Sequence, residues 1–128
     1  NSAAMKNEIT DETNWKKFIE SLDFKDEIVK ELQQDLEELA REVAADAPRD
    51  TGRFARGFLQ PDTVIVNKEG DQIEANVKND VPYSGFVRDE DGDIYIETAF
   101  YDKVGDVAQV AVVNTIATVL RKKASDFS

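Results

Sequence analysis

The chain of 128 residues contains no cysteine and no histidine. Without cysteine it can form neither disulfides nor cysteine-ligated zinc sites. Without histidine it lacks the usual general base near neutral pH, the Ser-His-Asp triad and imidazole-ligated metals. A glycine-rich phosphate loop and a dinucleotide fingerprint are also missing from the sequence. These absences exclude most enzyme mechanisms, so we expect a protein that is not an enzyme and binds no cofactor or metal.

Basic residues are scarce as well, since 16 stand against 27 acidic residues and the net charge is −11. An acidic surface repels phosphate backbones and anionic lipid headgroups, so we expect no specific nucleic-acid binding and no membrane binding. Long hydrophobic runs are absent too, and none approaches the roughly 18 residues that would predict a transmembrane span. The 41% of hydrophobic residues is nevertheless enough for a folded core.

Length and composition predict a single domain. The 128 residues fall within the roughly 100–200 residues of a typical domain, and no linker rich in proline, glycine or serine divides them. We interpret Asn1–Ala4, which precede Met5, as a cloning remnant, so the predicted domain covers residues 5–128.

The N-terminal third has the apolar spacing of α-helices. One amphipathic stretch contains Trp15, Phe18, Ile19 and Leu22. A second stripe, at intervals of three and four, predicts a long amphipathic helix over Lys25–Asp46 that ends before a proline. Residues 6–46 carry 13 acidic and 6 basic side chains, so most of the negative charge lies in this zone.

Four carboxylates on the polar side of the long helix form a candidate acidic surface: Glu31, Asp35, Glu38 and Glu42. The simple interpretation is a solvated helix face. The functional alternative is a surface presented to a basic partner, or to a polyanion that the protein must not grip.

The middle zone has the pattern of an antiparallel sheet. Thr63–Val66 is β-branched, Ile73–Val77 alternates apolar and polar residues, and the turn residues between them favour a hairpin. Tyr83–Val87 and Ile94–Ile96 are candidate third and fourth strands. The predicted fold class is therefore α+β, with N-terminal amphipathic helices, a three- to four-stranded antiparallel sheet and a C-terminal helix.

The C-terminal zone, Thr98–Leu120, combines helical apolar spacing with many β-branched residues. Period and length favour a helix, whose apolar residues cover more than one face. We expect part of it to lie under the sheet and part at a subunit contact. Arg121–Lys123 follow, where cations suit the negative end of a helix dipole.

Asp50–Gly52 is an Asp-Thr-Gly triplet, the signature of aspartic proteases, in which two carboxylates share a proton. Here it follows Ala47–Arg49 and a helix in place of an apolar strand, and nearby arginines would keep the carboxylate ionised. The simpler interpretation is a turn in which Asp50 or Thr51 caps a short helix through Arg53–Phe58.

A second acidic string, Asp89–Asp93, resembles the start of a calcium loop. The EF-hand pattern requires glycine at its sixth position and glutamate at its twelfth, and these positions hold Ile94 and Phe100. We interpret the string as a turn and predict no metal site there.

Two segments resemble the neck (head–tail joining) protein family of tailed bacteriophages. Ala47–Phe58 is similar to the family's Ala-Pro-x-Asp-Thr-Gly-x-Leu-x-x-Ser string, and Asn79–Val87 is similar to its Tyr-Ala-x-Tyr-Val-Glu segment. The resemblance covers about Ile28–Leu120. The family's Glu-x-Gly-Thr is replaced here by Arg88–Gly92, and its serine by phenylalanine.

The resemblance implies a structural virion component between the head-closure ring and the tail, located in the host cytoplasm during assembly. Such a protein is an assembly adaptor in a homo-oligomeric ring, can wait as a monomer before assembly, and contacts other neck, connector and tail proteins. DNA would pass it without specific binding. A tail-completion or tail-terminator protein is the alternative within this class. From another class, the alternative is an acidic cytosolic binding module or a DNA-mimic inhibitor.

The candidate assembly contacts lie in the two segments that carry the resemblance: Arg49, Asp50, Thr51, Gly52, Arg53, Phe54, Arg56, Phe58 and Tyr83. In one interpretation the phenylalanines belong to the core and the arginines cap or pair with the acidic helix. In the other, the loop protrudes and docks on a neighbouring subunit through arginine–carboxylate contacts.

Overall fold

The computed structural model describes residues 24–48 and 52–126, which form an α+β fold of three helices and a two-stranded antiparallel sheet. The helices and strands are α1 (Phe24–Asp46), α2 (Arg53–Arg56), β1 (Val64–Glu69), β2 (Gln72–Val77) and α3 (Asp102–Asp126). A 3-10 turn covers Ser84–Phe86 and a π-helical turn covers Glu97–Tyr101. The predicted stretch around Trp15–Leu22 lies outside the described residues, as do Arg49, Asp50 and Thr51.

Helix α1 is amphipathic and begins and ends close to its predicted bounds. Its buried residues recur at intervals of three and four, which puts one face against the rest of the protein. They are Phe24, Ile28, Leu32, Leu36, Leu39, Ala40, Val43 and Ala44. The predicted helix over Lys25–Asp46 is therefore confirmed.

The predicted hairpin is also confirmed, with Val64 opposite Val77 and Glu69 opposite Gln72. Its turn contains Gly70 at a φ of 57°, a left-handed conformation that glycine adopts without steric cost. The outer edge of β1 is covered by α1, because Gln33 donates to the Val64 carbonyl and accepts from the Val66 amide, both at 2.8 Å. The Gln33 side chain thus pairs with β1 much as a neighbouring strand would.

The predicted third and fourth strands were wrong. Tyr83–Val87 contains the 3-10 turn Ser84–Phe86 and follows Pro82, a residue that has no amide hydrogen to donate to a strand. From Ile94–Ile96 only Ile94 pairs, in an isolated bridge with Arg88. Tyr95 and Ile96 are both buried and begin the C-terminal helical segment, whereas strand neighbours would point to opposite faces.

The predicted C-terminal helix is confirmed and continues beyond Leu120 to Asp126. It is preceded without a break by the π-helical turn, in which the Asp102 amide donates to the Glu97 carbonyl five residues earlier. Helix α3 then runs antiparallel to α1, so that Val112, Ile116 and Val119 pack near Phe24 at the start of α1.

The core lies between α1, the hairpin and the helical segment that leads into α3. Leu36, Phe58 and Phe100 are its largest fully buried side chains. The rings of Phe58 and Phe100 meet edge to face at a centroid distance of 5.4 Å, and those of Phe54 and Tyr95 at 5.8 Å. These rings fix the loop around α2 against the C-terminal half of the protein.

Tyr95 also makes a buried hydrogen bond with α1. Its hydroxyl donates to the Val43 carbonyl at 2.6 Å. That carbonyl lies in the last turn of α1, where helix geometry provides no further amide. Burial raises the pKa of the Tyr95 phenol, and the Asp46 carboxylate adds to the effect. The phenol therefore stays a neutral donor up to strongly alkaline pH.

Replacing Tyr95 by Phe removes this hydrogen bond and leaves the Val43 carbonyl buried without its donor. We expect the free energy of unfolding to fall by about 1–2 kcal/mol, measured by urea denaturation. Tyr101→Phe is the control, because Tyr101 is exposed and its change should stay within about 0.5 kcal/mol. Equal effects of the two variants would contradict the assignment.

Candidate interaction surfaces

Asn79 joins the two segments that resemble the neck family. Its buried amide donates to the Phe54 carbonyl in α2 at 3.0 Å, and its side-chain oxygen accepts from the Val81 amide at 3.0 Å. The Asn79 backbone carbonyl accepts from the Ser84 hydroxyl at 3.2 Å. The side chain and the backbone carbonyl of Asn79 therefore hold α2 beside the loop that carries Tyr83 and Phe86.

Two glycines are required near this junction. Gly57 allows the close approach of Asn79, and Gly52 adopts a left-handed backbone conformation. A Cβ atom added to Gly57 would lie 2.1 Å from the Asn79 side-chain oxygen, closer than atoms can approach. Gly52 has a φ of 74° and occupies the N-cap position of α2. The predicted capping residues, Asp50 and Thr51, lie outside the described residues.

The phenylalanines proposed as assembly contacts are core residues. Phe54 and Phe58 are buried, and their rings meet edge to face at 5.0 Å. They cannot touch a partner directly, so the interpretation that assigns them to the core is the one that the structure supports. Arg53 and Arg56 are exposed on the same short helix. The core phenylalanines thus anchor a segment whose arginines face solvent.

An open groove of about 450 Å³ is lined by Arg56 of this short helix and by Arg41 of α1. Leu59 and the small residues Ala44, Ala45, Gly52 and Ala55 complete its lining. Leu59 is 54% exposed, although it immediately follows the buried Phe58. Arginine is enriched in protein–protein contacts.

The loop held by Asn79 presents aromatic rings to solvent. Phe86 is 79% exposed, and Tyr83, a predicted contact, is 36% exposed. Phe86 was not among the predicted contacts. Its sequence signal is a phenylalanine directly after Gly85, outside any helical or alternating apolar pattern.

The candidate acidic surface divides into two parts. Asp35, Glu38 and Glu42 line one side of an open groove of about 430 Å³, and Asp106 of α3 lines the other. Glu31 lies apart, beside a smaller hollow near Thr115. Sequence reasoning missed Asp106 because only the antiparallel packing of α1 and α3 brings it to the other three carboxylates.

Within this groove the pKa of Asp35 is raised, first by partial burial and second by the Glu38 carboxylate. A raised carboxyl pKa means that the folded state binds the proton more tightly than the unfolded state does. Ionisation of Asp35 at neutral pH therefore lowers the free energy of unfolding.

The acidic string at residues 89–93 closes a turn on itself. The Asp89 side chain accepts from the amides of Asp91 and Asp93 at 2.9 and 3.0 Å. The carboxylates of these three aspartates lie within 4.8 Å of one another, and two of the three residues are exposed. These hydrogen bonds form a turn and bring the carboxylates together, in agreement with the interpretation of this segment from the sequence.

Helix α3 exposes an apolar face. Val110, Val113 and Leu120 are 56%, 60% and 44% exposed. The continuous helical segment Glu97–Ser125 is long and apolar enough to cross a membrane by length and composition alone, and 11% of its most apolar window is buried in the protein. The chain thus contains a helix of this length and composition although its sequence lacks a long uninterrupted apolar run.

Comparison of the chain with protein-family models, curated proteins and solved structures finds no significant match. The resemblance to neck proteins therefore remains a prediction based on the two segments that Asn79 joins.

Replacing Gly57 by Ala tests the junction between these segments. The added methyl group would displace the Asn79 side chain, and we expect a loss of about 1–3 kcal/mol in the free energy of unfolding. Gly85→Ala is the matched control, because a Cβ there would meet no atom of the described residues within 4 Å. Calorimetry or urea denaturation of both variants distinguishes the clash from a general effect of alanine.

Replacing Asp35 by Asn tests the cost of its charge. We expect the variant to be more stable than the wild type at pH 7, by up to about 0.5 kcal/mol, because the partly buried ion is gone. At pH 3 the Asp35 carboxyl is protonated in both states, and the difference should vanish. Urea denaturation of dilute protein at both pH values provides the measurement, with Glu69→Gln on the hairpin as the control. A variant that is less stable at pH 7 would contradict the assignment.

Proposed function

We propose that this protein is a structural component of the head–tail junction of a tailed phage or prophage and acts as an assembly adaptor. The observation that carries the proposal is the Asn79 junction. The two segments with neck-family resemblance lie far apart along the chain, yet one buried side chain holds them side by side. Both segments therefore contribute to one local structure, which is what a shared family motif would require.

The surface beside the junction has the chemistry of a docking site. Phe86, Tyr83 and Leu59 present apolar surface, while Arg53 and Arg56 supply cationic groups that can pair with carboxylates. Large aromatic residues and arginines carry much of the binding energy at protein interfaces. We define this docking surface as Arg53, Arg56, Leu59, Tyr83 and Phe86. A partner with an acidic rim around an apolar pocket would fit it.

Net charge supports an adaptor that does not grip DNA. At −11 the protein repels phosphates over most of its surface, and a genome could pass nearby without being held. In an oligomeric ring this repulsion would be multiplied by the number of subunits. Tail completion remains the alternative position within the same class, because both roles require docking at the upper end of the tail.

Deletion of the gene from its phage or prophage tests the proposal directly. We expect DNA-filled heads to accumulate apart from finished tails, as seen by electron microscopy. Tails of abnormal length would instead assign the protein to tail termination. Normal virions would contradict both roles and favour an acidic binding module of the host cytoplasm.

Phe86→Ser tests the docking surface, because it removes an exposed ring without touching the core. We expect the melting temperature to stay within a few degrees of the wild-type value and virion yield in a complementation assay to fall at least about tenfold. The double variant Arg53→Glu/Arg56→Glu should behave in the same way. Ile65→Thr, at an exposed position of β1, is the control and should support normal yield. Normal joining by both docking-surface variants would contradict the proposed contact.

A further inference from the structure

The exposed apolar face of α3 is a continuous stripe. Val110, Val113, Ala117 and Leu120 follow one another at intervals of three, four and three residues, so their side chains lie on one side of the helix. All four residues are exposed. This spacing is that of the contact seam between two packed helices. The stripe is defined by these four residues.

One end of the stripe borders the acidic groove. Val110 lines the groove together with Asp35, Glu38, Glu42 and Asp106. Four carboxylates therefore surround the N-terminal end of the stripe, and partial burial already raises the pKa of one of them. This end would be stabilised by a cationic partner.

The other end of the stripe is basic. Arg121–Lys123 follow Leu120 directly and are exposed. Arg121 lies two turns after Asn114, which lines the groove, so it projects from the groove side of the helix. Its Nε–H donates to the Ala117 carbonyl at 3.3 Å, which lays the guanidinium group along the stripe.

We propose that a second copy of this chain covers the stripe, with the two α3 helices antiparallel about a twofold axis near the middle of the stripe. Val110 then faces Leu120 of the second copy, and Val113 faces Ala117. The same arrangement brings the basic end of each copy to the acidic groove of the other. Because a twofold contact is self-complementary, both grooves receive their cations at once.

The charges around the stripe favour an antiparallel second copy over a parallel one and over other partners. A parallel pair of α3 helices would place basic end against basic end and groove against groove. Residues 1–23 carry five acidic and three basic side chains, which do not complement an acidic groove. A bilayer would have to accept the carboxylates that border Val110, at a high desolvation cost.

The contact is independent of the proposed neck function. A twofold contact closes on itself and cannot by itself generate a ring of subunits. Ring formation would therefore use another surface, and the dimer would cover the apolar stripe of the protein before assembly. It also assigns Asp35, Glu38 and Glu42 to a basic partner and not to a DNA passage.

Charge inversion at both ends tests the proposal. The groove variant Glu38→Lys/Glu42→Lys brings cations to face the basic end, and the end variant Arg121→Glu/Lys122→Glu brings carboxylates to face the acidic groove. In analytical ultracentrifugation at high micromolar concentration, we expect the full wild-type chain to have a mass of twice 14.4 kDa. Each variant alone should dimerise at least about tenfold more weakly.

Mixing the two variants in equal amounts should restore the dimer, since each groove now meets an end of opposite charge. Glu69→Lys/Glu74→Lys on the hairpin is the matched control, because it makes the same change in net charge away from α3 and should leave the wild-type dimer intact. Val113→Asp should abolish dimerisation of every form while circular dichroism stays that of the wild type.

A monomeric wild-type chain at high micromolar concentration would overturn the proposal, and so would a mixture of charge variants that stays monomeric. If removal of residues 1–23 converted a monomer into a dimer, those residues would be the occupant. If the full chain co-floated with phosphatidylglycerol vesicles and Val113→Asp abolished this, a membrane would be the occupant.

Discussion

Asn79 donates to a carbonyl of α2 and accepts from the amide of Val81 at a point where Gly57 leaves no room for even a methyl group. Most of the structure around the docking surface depends on this buried amide. It fixes the distance between α2 and the loop after the hairpin, and thereby decides which side chains point inward. Phe54 and Phe58 enter the core, while Arg53, Arg56 and Phe86 remain outside. An apolar side chain at position 79 would leave the buried Val81 amide without its acceptor and would leave the Phe54 carbonyl with the Gly57 amide as its remaining donor, which costs stability.

Elements whose pattern is local could be predicted from the sequence. The apolar residues of α1 recur at intervals of three and four along the whole helix. The hairpin combines β-branched residues with turn residues in the expected order. Tyr83–Val87 and Ile94–Ile96 have the same local composition as strands, yet neither forms one. Tyr83–Val87 follows Pro82 and is shaped by short-range hydrogen bonds to Asn79. Tyr95 is held instead by its buried hydrogen bond to Val43 of α1, 52 residues away in sequence. Local propensity cannot include interactions of that kind.

The candidate surfaces show the same division between local and tertiary information. Asp35, Glu38 and Glu42 could be grouped from helix periodicity alone, because they lie on one helix. Asp106 joins them only through the packing of α1 against α3, and Glu31 separates from them for the same reason. For Phe54 and Phe58 the sequence left two interpretations open, a position in the core and a contact with a neighbouring subunit. Burial decided between them.

The π-helical turn at Glu97–Tyr101 fixes the rotation of α3 about its own axis. One extra residue in a helical turn rotates everything that follows by about 100° relative to a regular helix. Ala111 and Thr115 therefore face the core, while Val110 and Val113 face solvent. A single deletion in this turn would rotate the whole of α3 by about 100°, so that a different set of its side chains would face the core. Length variation should consequently be rare at this turn, whereas the loop at residues 89–93 can gain or lose residues without any such rotation.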